Sequence, residues 1–265
     1  MMRINGQHVR AVRPKMGFFA LLLVLASARA HGVSLLSSPL WLVGLTFALS
    51  TGAIVALNDF VDREHDQGKA RTLASDDPAA MLAWASILWG VTAAGAIAIW
   101  RVAPQALVWL LPALVLGLAY SWLRKVPLLS GVVVSFCYAL SAPLAASVSE
   151  AGHGGWRTVF IGVAIGLFVY GRETIADLAD LPIDRGYKMT LPVLLGAPKA
   201  TVALGTIFAL GAIFAILSSP WVLLFLPLTL SLIVTTSEHP LRFDHLYKQV
   251  DWLTIGFVVV LLLRG

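Results

Sequence analysis

Long apolar runs separated by short polar loops are the feature that most restricts how this chain can fold. A bilayer core of about 30 Å requires roughly 17–25 apolar residues per helix, and nine runs approach that length. Only 12% of the 265 residues are charged, against about 25% in soluble domains. We therefore predict an all-α membrane bundle, a single domain over residues 1–265, with about nine transmembrane helices. The predicted spans are 16–31, 39–57, 81–100, 104–122, 128–148, 157–173, 199–217, 220–236 and 249–264.

The charged residues between these runs are divided unevenly between the two sides of the predicted membrane. Nine spans place fifteen of the 19 Lys and Arg residues on the side of the N-terminus, and the positive-inside rule makes that side cytoplasmic. Topology thus accounts for the net charge of +5 without nucleic acid as a partner. Thirteen of the 14 Asp and Glu residues share this side, although the rule makes no demand of acids. We expect a multi-pass protein, of the cell membrane if the chain is prokaryotic, with a carboxylate-rich site facing the cytoplasm.

A first acidic cluster follows the second predicted span and has the pattern NDxxDxxxD. Its polar members are Asn58, Asp59, Asp62 and Asp66. At about 100° per helical residue, these four positions fall within roughly 100° of one another. A helix continuing from the second span would therefore present all of them on one face.

A second acidic cluster follows the sixth predicted span and has the pattern DxxDxxxD. Its members are Asp177, Asp180 and Asp184. In a helix these positions lie within about 60° of one another, and Glu173 shares their face. Pro182 lies inside the pattern. Because proline tends to kink or end a helix, Asp184 is expected just beyond it.

The two clusters predict a site for divalent cations. Three carboxylates on one face repel one another unless a cation lies between them. Mg²⁺ binds through one or two carboxylates together with substrate phosphates, so two facing clusters could hold two or three Mg²⁺ around a diphosphate. Five basic residues on the same side could contact that diphosphate, although each could equally be an ordinary positive-inside charge: Lys69, Arg71, Lys125, Arg185 and Lys188.

In combination these motifs resemble those of the UbiA superfamily of intramembrane prenyltransferases, whose acidic clusters also lie at the ends of the second and sixth spans. Several shorter elements add to the resemblance. Tyr120-Ser121 with Lys125 is similar to that family's YSxxxK element, and Arg13-Pro14-Lys15 precedes the first span. Its second conserved block is matched by Arg172-Glu173-Thr174, Asp184-Arg185 and the run from Thr190 to Gly196.

The resemblance implies a bundle around a central cavity, where Mg²⁺ bridges the two clusters and holds a prenyl diphosphate. The prenyl group would pass to a small lipophilic or aromatic acceptor, such as a quinone precursor or an isoprenoid glycerol phosphate. The implied metal ligands are Asn58, Asp62 and Asp66, with Asp59 beside them, and Asp177, Asp180 and Asp184. Tyr120 and Lys125 are implied near the diphosphate. The residues expected to be catalytic are Asp62, Asp180, Lys125 and Tyr120. Candidate diphosphate ligands are Asn58, Lys69, Arg71, Lys125, Arg185 and Lys188.

Ionising an allylic diphosphate requires a cavity that excludes water and aromatic faces that stabilise a cation. Candidate wall residues are Phe47, Phe136, Tyr138, Phe168 and Tyr170, for which packing or lipid contact is the ordinary alternative. One departure from the family pattern concerns the loop after the first cluster. Residues 67–75 lack the usual Arg-Pro pairs, which puts the roles of Lys69 and Arg71 in doubt.

Two other functions stay open at this point. The same architecture could cyclise a prenyl diphosphate, with the cation captured within its own chain, as in a terpene cyclase. A transporter or ion-binding protein is the alternative of another class, because acids near membrane helices often mark ion paths. That function would place ionisable groups near the middle of the bilayer, whereas these clusters lie at the ends of spans.

Overall fold

The computed structural model describes residues 13–64, 73–123, 126–149, 155–184, 186, 188–225, 227, 229–231 and 243–264, without the side chains of 183 and 243–247. These residues form helices joined by turns, with no strand among them. The helices are α1 (Pro14–Ala30), α2 (Ser38–Asp62), α3 (Leu73–Asp76), α4 (Pro78–Val102), α5 (Leu107–Leu123), α6 (Leu129–Ala139), α7 (Ser141–Ala146), α8 (Gly155–Ala179), α9 (Leu181–Asp184), α10 (Leu191–Leu195), α11 (Ala197–Ser218) and α12 (Phe243–Arg264). Two 3₁₀ segments, Pro104–Ala106 and Pro220–Phe225, precede α5 and follow α11.

Six helical segments of the described chain are long and apolar enough to cross a membrane, which confirms the predicted polytopic bundle. They are α2, α4, α5 with its 3₁₀ segment, α6 with α7, α8 and α11. Helix α1 lies at the first predicted span and α12 covers the ninth. The eighth span begins as the 3₁₀ segment Pro220–Phe225, and residues 232–236 of it lie outside the described residues. The count of nine and the cytoplasmic N-terminus therefore stay predictions.

Two of these helices continue past the apolar spans that the sequence defines. Helix α2 extends to Asp62 and α8 to Ala179, beyond the predicted span ends at 57 and 173. The polar residues of both acidic clusters thus begin within regular helix. This continuation positions the first cluster on the end of α2 and the start of the second cluster on the end of α8.

The outer surface of the bundle is apolar, as a bilayer requires. Large side chains such as Ile97, Trp100, Val115 and Val202 are each at least 62% exposed. In water, exposed apolar side chains at this density would favour aggregation; in lipid they contact acyl chains. Because lipid is as apolar as the side chains, close packing rather than hydrophobic burial must hold the helices together.

Helix α8 shows how this close packing is achieved. Phe208 of α11 lies against Gly171 of α8, and Phe168 of α8 lies against Gly211 of α11. Both rings are almost completely buried. A Cβ atom on Gly211 would come within 2.8 Å of Phe168 Cε1, so any larger residue would displace the ring. The two reciprocal ring-on-glycine contacts fix α8 against α11.

The opposite face of α8 packs on α6 through small residues. A Cβ atom on Gly162 would lie 3.1 Å from the Ala139 carbonyl oxygen, and one on Gly166 would lie 3.3 Å from Ala139 Cβ. The helix of the span formed by α6 and α7 is interrupted at Leu140. Pro143 explains the interruption, because it has no N–H to donate to the carbonyl of Ala139 four residues earlier. With both faces closely packed, α8 is held in one rotation about its axis.

Candidate active site

A cavity opens among the ends of α1, α2, α5, α6 and α8, and both motif-bearing long helices contribute to its wall. Its polar residues gather around the ends of α2 and α5, and its apolar residues continue into the bundle. The polar lining residues are Arg13, Ser50, Thr51, Asn58, Asp59, Tyr120, Tyr138 and Glu173, and apolar ones include Phe47, Ile54, Val55, Ala113, Val133 and Val134. We call this space the inner cavity. It joins a polar end, suited to a charged group, to an apolar interior.

Asn58 and Asp62 of the first cluster lie at the polar end of α2. The Ser121 hydroxyl of α5 donates a hydrogen bond of 3.1 Å to Asn58 Oδ1, which brings the predicted Tyr120-Ser121 element beside the first cluster. Asp62 is buried, and Tyr120 lines the inner cavity. The structure therefore brings together two residue groups, the first cluster and the Tyr120-Ser121 element, that are far apart in the sequence and were predicted to share a site.

Asp59 has a specific partner at the start of α1. Arg13 Nη2 donates to both carboxylate oxygens of Asp59, at 2.9 and 3.1 Å. The carboxylate is buried, while the Arg13 side chain is half-exposed. Arg13 also has a left-handed backbone, with φ of 41°, which turns the chain into α1 directly above the cavity. In the sequence, Arg13 is notable only as part of Arg13-Pro14-Lys15, the tripeptide before the first span. Nothing in its spacing identifies Asp59 as its partner.

The second cluster begins on α8 and continues beyond it. Helix α8 ends at Ala179, Asp180 lies in a turn, and Asp184 ends the one-turn helix α9. The interruption agrees with the expectation from Pro182 that Asp184 lies beyond the long helix. The N–H of Asp184 still donates to the Asp180 carbonyl at 2.9 Å, so the chain stays compact. Asp184 is fully buried, and Lys188 Nζ lies 3.4 Å from its carboxylate.

The two clusters approach each other around Tyr120. The Tyr120 phenol interacts electrostatically with Glu173, Asp177 and Asp184 of the α8–α9 region and with Arg13 of the first-cluster side. Asp177 in turn interacts with Glu173, Asp180, Asp184 and Lys188. Tyr120 also lines the inner cavity with Asn58 and Asp59 of the first cluster.

The chemistry of these groups fits a hard divalent cation. Helices α2 and α8 each end in acids, with no basic residue in the last turn. Carboxylates at a helix C-terminus are disfavoured by the helix dipole, so their placement at two such ends favours a cation between them. Among the described residues no three His, Cys, Asp or Glu side chains converge on one ion position. Mg²⁺ that binds through one or two carboxylates and completes its shell with phosphate oxygens and waters fits this arrangement.

A second space, which we call the lateral pocket, lies between α1, α8 and α12. Its lining includes Phe18, Phe19, Phe168 and Ile255 and four charged residues, Lys15, Arg172, Glu173 and Asp251. Met16, Tyr138 and Glu173 line both the lateral pocket and the inner cavity. Arg172 Nε lies 3.3 Å from Asp251 Oδ1 and Arg172 Nη1 lies 3.4 Å from Glu173 Oε1. The Arg172–Asp251 pair joins α8 to α12 beside the wall that separates the two spaces, and the Arg172–Glu173 pair lies within α8.

Comparison with known proteins decides the family. The sequence model of the UbiA prenyltransferase family matches residues 17–259. The chain belongs to this family. No curated protein sequence matches the chain at a significant level.

Solved UbiA homologues share the fold across nearly the whole chain. The apo UbiA homologue from Aeropyrum pernix K1 is similar with a TM-score of 0.68 at 16% identity, over 92% of this chain and 98% of that one. A digeranylgeranylglyceryl phosphate synthase gives 0.66 at 15% identity, over 97% and 98%. The Archaeoglobus fulgidus UbiA homologue bound to GPP and Mg²⁺ gives 0.66 at 17% identity, over 97% and 99%. This likeness confirms the predicted UbiA fold.

Of the five aromatic residues predicted to line the cavity, three line the inner cavity or the lateral pocket and two do not. Phe47 and Tyr138 line the inner cavity, and Phe168 lines the lateral pocket. Phe136 and Tyr170 instead line an outward apolar groove between α6 and α8. The period of a helix alone cannot tell these two faces apart when both are apolar. Five predicted site residues lie outside the described residues: Asp66, Lys69, Arg71, Lys125 and Arg185.

Proposed function

We propose that this UbiA protein transfers a prenyl group from a prenyl diphosphate to an acceptor, with Mg²⁺ at the two acidic clusters. The inner cavity carries the proposal, because it joins Asn58, Asp59 and Tyr120 at one end to an apolar interior at the other. A prenyl diphosphate has the same division between a charged head and an apolar tail. The homologue from A. fulgidus, which binds GPP with Mg²⁺ in its solved structure, supports the same assignment.

The residues of the two clusters would hold the diphosphate at the polar end. Asn58, Asp62 and Asp66 from the α2 side, and Asp177, Asp180 and Asp184 from the α8 side, are the proposed metal ligands. Bound Mg²⁺ would neutralise the diphosphate and stabilise the charge that develops as it leaves. Lys188 pairs with Asp184 of the second cluster at 3.4 Å and is a proposed diphosphate ligand with Lys69, Arg71, Lys125 and Arg185.

We assign Asp59 a different role from that of the other acids of its cluster. Both of its carboxylate oxygens accept hydrogen bonds from Arg13, which leaves them less capacity for a metal ion. Its proposed role is to hold the Arg13 guanidinium over the cavity. There the positive charge would attract the diphosphate and fix the start of α1.

The apolar interior would protect the reacting carbon. Phe47, Ile54 and Val133 line the region below Asn58 and exclude the water that would otherwise capture an allylic cation. The Tyr138 ring lines the same wall, where its π face could stabilise positive charge. The polar Ser50 and Thr51 hydroxyls on this wall donate to the Phe47 carbonyl, so they are occupied within their own helix.

The lateral pocket favours transfer to a second substrate over cyclisation. Cyclisation needs room for one substrate, whereas the structure has two spaces that share a wall. An acceptor with an apolar body and a polar group would fit a pocket lined by Phe18 and Phe168 with charged residues at its edge. The acceptor classes that we propose are aromatic or quinone precursors and isoprenoid glycerol phosphates. The cavity's polar end would face the cytoplasm in a cell membrane.

The proposal is tested with purified protein, Mg²⁺ and prenyl diphosphates of several chain lengths. Diphosphate release and prenylated products are measured with and without a panel of hydroxylated aromatic acids and glycerol ether phosphates. Wild-type protein should release diphosphate only with Mg²⁺, and Asp62→Ala and Asp180→Ala should each lose at least 100-fold. Asp76→Ala is the matched control, since Asp76 is an exposed acid of the same side. Full activity of the first two variants would overturn the two-cluster mechanism, and cyclic products would indicate a cyclase.

A further inference from the structure

Three side chains form the wall between the inner cavity and the lateral pocket: Met16, Tyr138 and Glu173. Met16 comes from α1, Tyr138 from α6 and Glu173 from α8. An acceptor entering from the lateral pocket must meet the reactive prenyl carbon at this wall. Whatever chemical group stands there will contact the acceptor's nucleophilic atom.

Glu173 is the one carboxylate among the described residues that lines both spaces. Its side chain is 24% exposed, whereas the other acid of the lateral pocket, Asp251, is 54% exposed. Glu173 lies one helical turn deeper in the bundle than Asp177. That position moves its carboxylate from the diphosphate end towards the apolar interior, where the prenyl carbon would react.

The charged residues around Glu173 orient its carboxylate at the wall between the two spaces. Arg172 on the same helix pairs with it at 3.4 Å and pairs with Asp251 of α12 at 3.3 Å. Lys15 of α1 lines the edge of the pocket, and Asp177 lies on the cluster side. The contact from Arg172 is long, so one guanidinium shared by two carboxylates can orient Glu173 without saturating its lone pairs.

We infer that Glu173 binds the proton-bearing group of the acceptor and receives its proton during transfer, an inference that rests on the proposed function. The C–O bond of the prenyl diphosphate breaks, and diphosphate departs with the electron pair. The acceptor's oxygen or ring carbon then forms a bond to the prenyl carbon. Its proton passes to Glu173 and from there to solvent, so no oxidant or further reactant is required.

This assignment also predicts the kind of acceptor that the site uses. A carboxylate at the meeting point serves a nucleophile that loses a proton, such as a phenol, an alcohol or an activated aromatic ring. A base within hydrogen-bond reach typically contributes about 100- to 10,000-fold to the rate. Tyr138, at the same wall, is neutral near pH 7 because a phenol ordinarily ionises near pH 10. It is therefore a weaker candidate for the same step.

The test separates ionisation of the diphosphate from capture by the acceptor. Wild type, Glu173→Gln and Glu173→Asp are assayed with Mg²⁺ and geranyl diphosphate. Diphosphate release is measured without acceptor, and prenylated product is measured with the phenolic acid or glycerol ether phosphate that wild type prefers. We expect Glu173→Gln to lower kcat for transfer at least 100-fold, while acceptor-free release changes less than about threefold. Glu173→Asp, which keeps the carboxylate, should retain more transfer activity than Glu173→Gln.

Asp76→Asn provides the control, because it removes an exposed carboxylate that lines neither the inner cavity nor the lateral pocket. It should leave kcat for transfer within about threefold, and a loss as large as that of Glu173→Gln would contradict a specific role for Glu173. A Glu173→Gln protein that still transfers at the wild-type rate overturns the inference. Parallel loss of acceptor-free release and transfer also overturns it, because Glu173 would then act on the diphosphate. If wild type itself releases no diphosphate, the proposed function fails rather than the role of Glu173.

Discussion

Replacing Gly171 by alanine tests whether α8 is held by the ring of Phe208. A Cβ atom at Gly171 would lie 2.6 Å from Phe208 Cζ, whereas carbon atoms in good contact are about 3.5–4.0 Å apart. The ring would have to retreat by roughly 1 Å, and it is fully buried.

The expected cost follows from this geometry. Overpacking a closely packed site typically costs about 1–3 kcal/mol, while alanine in a helix gains about 0.5–1 kcal/mol over glycine. Gly90→Ala measures the gain of alanine over glycine alone, because a Cβ atom there meets nothing within 4 Å. The difference between the two variants should therefore equal the overpacking cost. At roughly 2–4 °C per kcal/mol for a chain of this size, Gly171→Ala should melt about 2–12 °C below Gly90→Ala.

Thermal unfolding of the detergent-purified variants measures this difference. The double variant Gly171→Ala with Phe208→Leu should lose less stability than the sum of its single changes, because the smaller side chain leaves room for the new methyl group. Equal melting temperatures for the Gly171 and Gly90 variants would refute the packing argument, as would strict additivity in the double variant. Either result would mean that α8 is positioned by other contacts.

Three further predictions concern single contacts. Arg13→Ala should destabilise the protein by about 1–2 kcal/mol, since it leaves the buried Asp59 without its arginine; adding Asp59→Asn should recover part of the lost melting temperature. Ser121→Ala removes the hydrogen bond to Asn58 and should raise the Mg²⁺ concentration for half-maximal activity roughly 2- to 10-fold. The control Ser86→Ala, at an exposed position, should leave that concentration unchanged. Burial lowers the pKa of His31 below its ordinary value of 6.5, and the positive charge of Arg157 lowers it further. The hydrogen bond to the Ser27 carbonyl raises this pKa, but by less. The stabilising effect of His31 should be complete above pH 6.5 and decline as the pH falls, so His31→Ala should flatten the melting temperature between pH 7 and 5.

The sequence predicts the bundle well because length and hydropathy alone define membrane helices. Hydropathy ended the second span at residue 57, while the helical spacing of Asn58, Asp59 and Asp62 indicated that the helix continues, as α2 does. Contacts between distant residues could not be predicted in this way. The Arg13–Asp59 pair joins residues 46 positions apart, and no periodicity reports such a contact. Glu173 was visible only as a neighbour of the second cluster, since its place between two cavities depends on how three helices meet.

The packing of α8 and the chemistry of the site are parts of one arrangement. The small residues of α8 that contact α6 and the Gly171–Phe208 contact with α11 lie on different faces of the helix, so together they determine its rotation. Gly171 directly precedes Arg172 and Glu173, and one further turn brings Asp177 into position. A rotation of about 100° corresponds to one residue and would carry Glu173 away from the wall between the cavities. Because lipid supplies no hydrophobic force to restore that rotation, the glycine contacts keep Glu173 at the wall between the two spaces. They also fix the direction of Asp177, the proposed metal ligand one turn further along α8.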